Sequence, residues 1–274
     1  MPFAALGDVD LFHTDDAPAD PGAAGRTPVL LVHGYAADSD DWVPVLPSLA
    51  ARRRVVAPDL RGHGRSSAPA GGYRPEDLAA DLVALLDLLG IGRVVAFGHS
   101  MGAMVATALA VGHPSRVEAL VCVDPGYGQP PEIAAMFPAM VEDLRRDPHA
   151  AVLAMEPVLY TPATPEDVRT RHARKILGTP AHVLARAFPA MFTDPGQWGA
   201  RPASDAYLAR RACPVLTCRA DAEAAAWERG LPTHPASRVL HWPGAGHRLH
   251  EERPAEFLHV VEKWLETLDK ESTA

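Results

Sequence analysis

Residues 98–102 have the sequence GHSMG, in which a serine stands midway between two glycines. The apolar run 94–97 before it is typical of a buried strand, and the alanine-rich run 103–109 after it is typical of a helix. A serine in a sharp strand-to-helix turn is a nucleophile elbow. Its backbone is strained, its hydroxyl is exposed, and side chains at the two glycine positions would collide with neighbouring backbone. We therefore predict that Ser100 is a nucleophile, with the positive end of the following helix directed at the reacting group.

A second candidate lies earlier in the chain, where the apolar run 28–32 ends in His33, Gly34 and Tyr35. A His-Gly-aromatic turn after a buried strand, followed by a nucleophile elbow, resembles the α/β-hydrolase superfamily, and the resemblance extends from about residue 29 to residue 264. It implies that the backbone N–H groups of Tyr35 and Met101 form an oxyanion hole. Each such donor is worth roughly 3 kcal/mol to a transition state.

The general base would come from a loop near the end of the chain. Residues 238–242 are predicted to form a late strand, and the loop 243–247 then ends in His247, before an amphipathic helix that begins at Pro254. The resemblance implies a base in this loop, after the serine in chain order. His241 lies within the predicted strand and His250 beyond the loop, so we favour His247 over both. We expect His99 to pack beside the nucleophile.

Three carboxylates are candidates for the acid that would orient His247. Many superfamily members carry it after the seventh strand, but here residues 214–223 have alanine where the motif has glycine, and Glu223 stands at the acid position. Residues 222–227 also have the composition of a helix. The other known placement is after the sixth strand, where the apolar run 118–123 ends at Asp124. We favour Asp124 over Glu223, with Asp221 as a third candidate; the alternative for Asp124 is a turn cap.

Apolar runs and helical patterns alternate through the first half of the chain, which predicts an α/β fold with a mostly parallel central sheet flanked by helices. The resemblance makes this the α/β-hydrolase fold. The alternation breaks between residues 126 and 209, where proline-rich joints separate helical segments. We therefore predict a core domain of residues 1–125 and 210–274, and a helical cap, or lid, of residues 126–209 inserted after strand six.

The predicted cap is rich in methionine and phenylalanine, which suits an apolar, bulky ligand. From this group we select Met136, Met155 and Phe188 as candidate substrate-binding residues. The alternative is that these side chains only pack the cap helices against the core.

Composition limits the other classes of function. The net charge of −8 and the absence of a basic block argue against a nucleic-acid partner, and no apolar run is long enough to span a membrane. The sequence has no Cys-x-x-Cys motif and no clustered His/Asp ligand set, so no metal is implied, and the proposed chemistry needs no cofactor. With no visible secretory signal, we expect a cytoplasmic protein.

The resemblance implies acyl transfer through a Ser-His-Asp triad and an acyl-enzyme, and we predict hydrolysis of an ester or lactone of an apolar small molecule. Alternatives on the same fold are a C–C bond hydrolase and a cofactor-free haloperoxidase (perhydrolase). A haloalkane dehalogenase is disfavoured because residue 100 is serine and not aspartate. The alternative outside enzymes is a hydrolase-like ligand-binding protein.

Overall fold

The computed structural model describes residues 2–18 and 25–271, and the strands among them form one sheet of eight. The strands are β1 (Phe3–Ala5), β2 (Asp10–Asp16), β3 (Val29–Val32), β4 (Val55–Pro58), β5 (Val94–His99), β6 (Val117–Val123), β7 (Val215–Arg219) and β8 (Arg238–His241). Their order in the sheet is β1-β2-β4-β3-β5-β6-β7-β8. Strand β2 pairs antiparallel with β1 and β4, and every later pairing is parallel. The predicted α/β fold with a mostly parallel sheet is confirmed.

The central strands are apolar throughout because both faces of the sheet are covered. Every residue of β3, β4 and β5 is buried, as expected of parallel strands between two helical layers. On one face, Leu30 and Val32 join a core that includes α2 (Pro75–Leu88) and α3 (Met101–Gly112). On the other face, Leu31 packs in a core with α12 (Pro254–Glu271).

The remaining core helices are short or lie near the ends of strands. They are α1 (Leu46–Ala50), α10 (Ala222–Arg229) and α11 (Leu249–Glu252). Helix α2 shows how the sequence sets its boundaries: Pro75 occupies its first turn, and the side chain of Asp77 accepts a hydrogen bond from the N–H of Arg74 at 3.1 Å. Gly90 follows the end of the helix with φ 66, a left-handed conformation that glycine adopts readily.

Six helices lie between β6 and β7, in the region where the sequence indicates helical segments. They are α4 (Pro131–Ala134), α5 (Phe137–Arg146), α6 (Pro148–Leu159), α7 (Glu166–Gly178), α8 (Ala181–Phe192) and α9 (Ala203–Leu208). We call residues 131–208 the helical insertion. It packs on the core through α8, where the hydroxyl of Tyr35 donates to the carbonyl of Leu184 at 2.6 Å. Division into a core domain and a separate cap stays a prediction.

Backbone hydrogen bonds join the residues that follow β5 and β6 to the ends of the neighbouring strands β6 and β7. The N–H of Ser100 donates to the carbonyl of Val123 at 3.0 Å, and the N–H of Asp124 donates to that of Cys218 at 2.7 Å. Because parallel strands end at the same edge, the sheet brings the loops after these strands to one place, where ligands of open α/β sheets usually bind. Among the described residues, no helix combines the length and apolar character needed to cross a membrane.

Candidate active site

Ser100 has the backbone of a nucleophile elbow, with φ 53 and ψ −115 between the end of β5 and the start of α3. A non-glycine residue in this conformation costs roughly 1–3 kcal/mol and is found mainly at functional sites. The flanking residues must be glycine because there is no room for a side chain at either position. A Cβ at Gly98 would approach the carbonyl oxygen of Gly102 to less than 3.0 Å, and a Cβ at Gly102 would do the same to the carbonyl of Val32.

His247 and Asp124 form a hydrogen-bonded pair at the same edge of the sheet. The Nδ1–H of His247 donates to Oδ2 of Asp124 at 2.6 Å, and the other carboxylate oxygen accepts the N–H of Ala220 at 3.0 Å. Burial alone would raise the pKa of Asp124, but the hydrogen bond and charge of His247, the charge of Arg219 and the Ala220 amide together lower that pKa. The ionised Asp124 therefore accepts a hydrogen bond from Nδ1 of His247, and Nε2 of His247 is not engaged by this bond.

The other two carboxylates considered for this position have different surroundings. Asp221 caps α10, where its side chain accepts the N–H of Ala224 at 2.7 Å. Glu223 lies in the first turn of that helix, as the composition of residues 222–227 indicates, and lines the cavity described below. The structure therefore brings Asp124 to His247 and places Asp221 and Glu223 at the N-terminal end of α10.

The predicted oxyanion-hole residues, Tyr35 and Met101, line the same cavity as Ser100. Within the described part of the chain, their backbone N–H groups have no hydrogen-bond acceptor. His33 orients one of them. Its Nε2 accepts the N–H of Leu60 at 2.9 Å, so its Nδ1 carries the proton and donates to the carbonyl of Gly34 at 2.8 Å. Because C=O and N–H of one trans peptide point in opposite directions, this bond turns the N–H of Tyr35 away from His33.

Three other histidines, His99, His241 and His250, have surroundings different from those of His247. His99 is buried beside it: the two ring centroids are 4.7 Å apart, and Nε2–H of His99 donates to the backbone carbonyl of His247 at 3.0 Å. Burial, followed by the charges of His247 and His250, holds the pKa of His99 well below its usual value, so the ring is neutral. His250 is buried against His99 on α11, and His241 ends β8. The contact with Asp124 is made by His247.

A cavity of about 610 Å³ contains Ser100, Asp124 and His247 in its wall. Its apolar lining comes largely from the helical insertion: Ile133, Phe137, Val152, Met155, Leu159, Phe188, Met191 and Phe192. Met155 and Phe188, which were selected from the sequence, line this cavity. Met136 differs from the expectation, since it is 63% exposed and is not part of the lining. It precedes α5, whose buried positions are Phe137, Val141 and Leu144, and its neighbour Phe137 takes the place in the wall.

Sequence reasoning missed Arg219, which supports the loop that carries Asp124. It ends β7 and is buried, and its Nη1 donates to the carbonyl of Pro125 at 3.0 Å. Its Nε and Nη2 both donate to Oε2 of Glu228, at 3.0 and 2.9 Å. The only available signal was a charged residue at the end of an apolar strand, and nothing local indicates its partner on α10.

A buried cluster of Asp41, His172 and Glu251 is the one group of potential metal ligands found in the described residues, with ligand atoms within 4.8 Å of one another. Side-chain cations already contact both carboxylates: Lys175 pairs with Asp41, and Arg171 pairs with Glu251 at 3.2 Å. His172, Lys175 and Arg171 all belong to α7. We therefore interpret the cluster as an ion-pair network that joins the helical insertion to the core.

Comparisons with known proteins agree with the fold. A family model described as the alpha/beta hydrolase fold matches residues 27–156. A thermophilic esterase from Thermogutta terrifontis is 28% identical, with a TM-score of 0.78 and 97% of each chain covered. A hydrolase from Pseudomonas aeruginosa PA01 is 27% identical, with a TM-score of 0.79, covering 96% of this chain and 97% of the other.

Among curated sequences, a putative carbamate hydrolase, RutD, from Caulobacter segnis is 34% identical over 169 residues, which are 61% of each chain. The chain thus spans about three-fifths of that relative's length. A second relative is the dihydrolipoyllysine-residue acetyltransferase component of an acetoin cleaving system from Pseudomonas putida, which is 42% identical over 99 residues. The match covers 27% of that protein's length. Taken together with the strand order and the elbow at Ser100, these matches show that the chain has the α/β-hydrolase fold.

Proposed function

We propose that this protein is a serine hydrolase that cleaves an ester or lactone of a small, largely apolar molecule. The observation that carries the proposal is the 2.6 Å bond between His247 and Asp124, in a cavity whose wall also contains Ser100 in its strained elbow. A nucleophile, a base and an orienting acid at one cavity is the constellation that acyl transfer requires.

The reaction would proceed in two steps. Oγ of Ser100 attacks the substrate carbonyl while Nε2 of His247 takes its proton, and the N–H groups of Tyr35 and Met101 bind the resulting oxyanion. The intermediate collapses as the imidazolium returns that proton to the leaving alkoxide, which yields an acyl-enzyme and an alcohol. Water then attacks the acyl group while His247 takes its proton, and the imidazolium returns that proton to Oγ of Ser100 as the acyl–oxygen bond breaks and the acid leaves.

Asp124 would stabilise the imidazolium in both steps. Its carboxylate accepts Nδ1–H, so the neutral ring presents a lone pair at Nε2, which is the form that a general base needs. Since its surroundings lower its pKa, Asp124 would be ionised at neutral pH.

The helical insertion would act as the cap over this site. It supplies most of the apolar wall, while the polar catalytic groups come from loops after the strands. Such a division would hold the hydrocarbon part of a substrate against the insertion and its carbonyl against Ser100. The neighbours point to the same chemistry: one is an esterase, and another, 24% identical, is an enol-lactonase from Burkholderia xenovorans.

An activity-based probe tests the proposal directly. A fluorophosphonate should label Ser100, as located by mass spectrometry, and the protein should hydrolyse a chromogenic short-chain ester. Ser100→Ala should abolish both, whereas Ser115→Ala, a control at an exposed serine, should retain both. Labelling at another residue, or ester hydrolysis that survives Ser100→Ala, would contradict the proposal. Turnover of a vinylogous diketone in preference to every ester would favour the C–C bond hydrolase instead.

A further inference from the structure

Arg248, the residue after the proposed base, carries hydrogen-bond donors that the protein does not use. It is 4% exposed and lines the cavity. Its Nη2 donates to Oε1 of Glu156 at 3.0 Å, but its Nε and Nη1 have no hydrogen-bond partner among the residues that the structure describes. Leaving a buried charged donor unpaired is energetically costly, so a partner from the cavity would be favourable.

The guanidinium is held in place on its other sides. It lies over the ring of Tyr160, 5.2 Å from the ring centroid, and the hydroxyl of Tyr160 donates to the second oxygen of Glu156. Glu156 belongs to α6 and is itself 8% exposed. Arg248 is therefore fixed by an ion pair and an aromatic ring, which is the arrangement of a built binding site and not of a mobile surface side chain.

The charges around Arg248 favour a neutral partner. Burial would raise the pKa of Glu156, but the charge of Arg248 and the bond from Tyr160 lower it, so Glu156 is ionised and cancels the charge of Arg248. Asp41 also lines the cavity, lies close enough to act electrostatically on Arg248, and has an unpartnered Oδ2. Because Asp41 is paired with Lys175 and Glu156 with Arg248, a carboxylate placed here would meet no unpaired positive charge and would lie beside the ionised Glu156.

The surroundings of the pair are apolar. Met155 and Leu159, the neighbours of Glu156 on the same helix, line the cavity as well. A purely hydrocarbon substrate would satisfy these two side chains and leave Nε and Nη1 of Arg248 unpaired. A hydrocarbon chain interrupted by one neutral carbonyl would satisfy both.

We propose that Arg248 binds a neutral carbonyl oxygen of the substrate, such as that of an amide or a ketone, at a distance from the scissile bond. This inference rests on the proposed function and narrows its substrate class from simple alkyl esters to acyl esters or lactones with a second carbonyl. Arg248 would act as a specificity-determining residue, and it takes no part in the proton transfers.

Matched p-nitrophenyl esters test the inference. The acyl groups all have seven atoms in the chain: heptanoyl, 5-oxoheptanoyl, 6-oxoheptanoyl, 4-acetamidobutanoyl and 6-carboxyhexanoyl, the last of which carries a carboxylate. We expect kcat/KM of the best oxo or acetamido ester to exceed that of the heptanoate by about 10- to 100-fold, the range of a hydrogen bond from a charged donor. The carboxylate ester should be the poorest of the series.

Variants assign the preference to Arg248. In Arg248→Met the ratio of the carbonyl-bearing ester to the heptanoate should fall close to one, and in Arg248→Lys, which keeps the charge but loses the fork, it should be intermediate. Arg145→Met, at an exposed arginine on α5, should keep the wild-type ratio. Thermal unfolding and fluorophosphonate labelling of Ser100 would verify that each variant folds.

Three results would overturn the inference. The first is a wild-type kcat/KM ratio of carbonyl-bearing ester to heptanoate near one, as expected if only an ordered water contacts Arg248. The second is a wild-type ratio that is unchanged in Arg248→Met. The third is a preference of the wild type for the carboxylate ester. The wild-type comparison stands even if Arg248→Met does not fold. Failure of the proposed function would look different, because then no ester would be hydrolysed through Ser100 at all.

Discussion

The Nε2–H of His99 donates to the backbone carbonyl of His247 at 3.0 Å, so the residue before the proposed nucleophile holds the loop of the proposed base. The His99 ring also lies against Gly34, where a Cβ would come within 3.0 Å of its Nδ1. One neutral imidazole thus contacts the elbow, the base loop and the oxyanion turn. We interpret His99 as a positioning residue for His247.

The first prediction follows from this bond. His99→Leu should lower kcat for ester hydrolysis by about 10- to 100-fold with a smaller effect on KM, because the base is displaced and substrate binding is not. His99→Gln can still donate and should recover part of the loss. His113→Gln, at an exposed residue after α3, serves as the control. Equal losses in His99→Leu and His99→Gln, matched by equal losses of thermal stability, would show that His99 only fills space.

A second prediction distinguishes the two carboxylates. Asp124→Asn should lower kcat by up to about 10⁴-fold, because the amide cannot hold the required tautomer of His247 or stabilise its charged form. Glu223→Gln should change kcat several-fold at most, since Glu223 lies on α10 and the bond to His247 is made by Asp124. Steady-state kinetics on both variants, each with a thermal-unfolding control, decide the matter. A nearly inactive Glu223→Gln beside an active Asp124→Asn would reverse the assignment.

The third prediction concerns the glycines of the elbow. Gly98→Ala and Gly102→Ala should each prevent folding or lower the melting temperature sharply, because the new Cβ would meet a backbone carbonyl oxygen of helix α3 or strand β3, which cannot move on its own. Gly112→Ala, at the end of α3, has nothing within 4 Å of its Cβ and should be neutral or stabilising by about 0.5–1 kcal/mol. Differential scanning calorimetry compares the three. Unchanged melting of Gly98→Ala would disprove the steric argument.

The features that depend only on neighbouring residues could be predicted from the sequence. Ser100 follows an apolar strand and precedes a helix, so glycine spacing alone predicts its turn, and Asp124 ends a strand that adjoins the nucleophile strand. Parallel pairing then brings strand ends together regardless of what lies between them. Met136 shows the limit: composition identifies an apolar helix, but only the packing of α5 decides that Phe137, and not Met136, faces the cavity.

Arg248 and Glu156 show the same limit for polar groups. They are 92 positions apart and meet only because α6 packs over the loop of His247. No pattern in either segment indicates the other. From the sequence alone, Arg248 would therefore be interpreted as a solvent-exposed loop residue. Pairs of this kind depend on how the insertion is placed on the core, which neither periodicity nor spacing determines.

A fourth prediction tests the apolar wall. Phe188→Ala and Met155→Ala should shift the preferred acyl chain length of p-nitrophenyl esters, because both side chains line the cavity and their truncation enlarges it. Met136→Ala should leave the preference unchanged, since that side chain is 63% exposed and outside the lining. The ratio of kcat/KM for octanoate to that for butyrate is the measurement. If all three variants keep the wild-type ratio, the hydrocarbon binds elsewhere.

The last prediction concerns the pH dependence of stability, which the buried histidines determine. Burial, reinforced by the charge of His33, lowers the pKa of His63 to about 3, and burial lowers that of His172 to about 4. Burial also holds the pKa values of His99 and His250 well below the usual value. In the unfolded chain each of these side chains takes up a proton near pH 6.5, whereas the folded protein stays neutral at them until much lower pH.

The unfolded state therefore binds more protons than the folded state below about pH 6.5, and the free energy of unfolding should fall as the pH falls from about 6.5 towards 4. His63→Gln removes one of these groups, so its unfolding free energy should decline less steeply with acidification than that of the wild type. His259→Gln, at an exposed histidine on α12, should reproduce the wild-type slope. Urea unfolding at several pH values between 7 and 4.5 measures the slopes. An identical slope for His63→Gln and wild type would show that His63 is protonated in the folded protein and that burial does not control its titration.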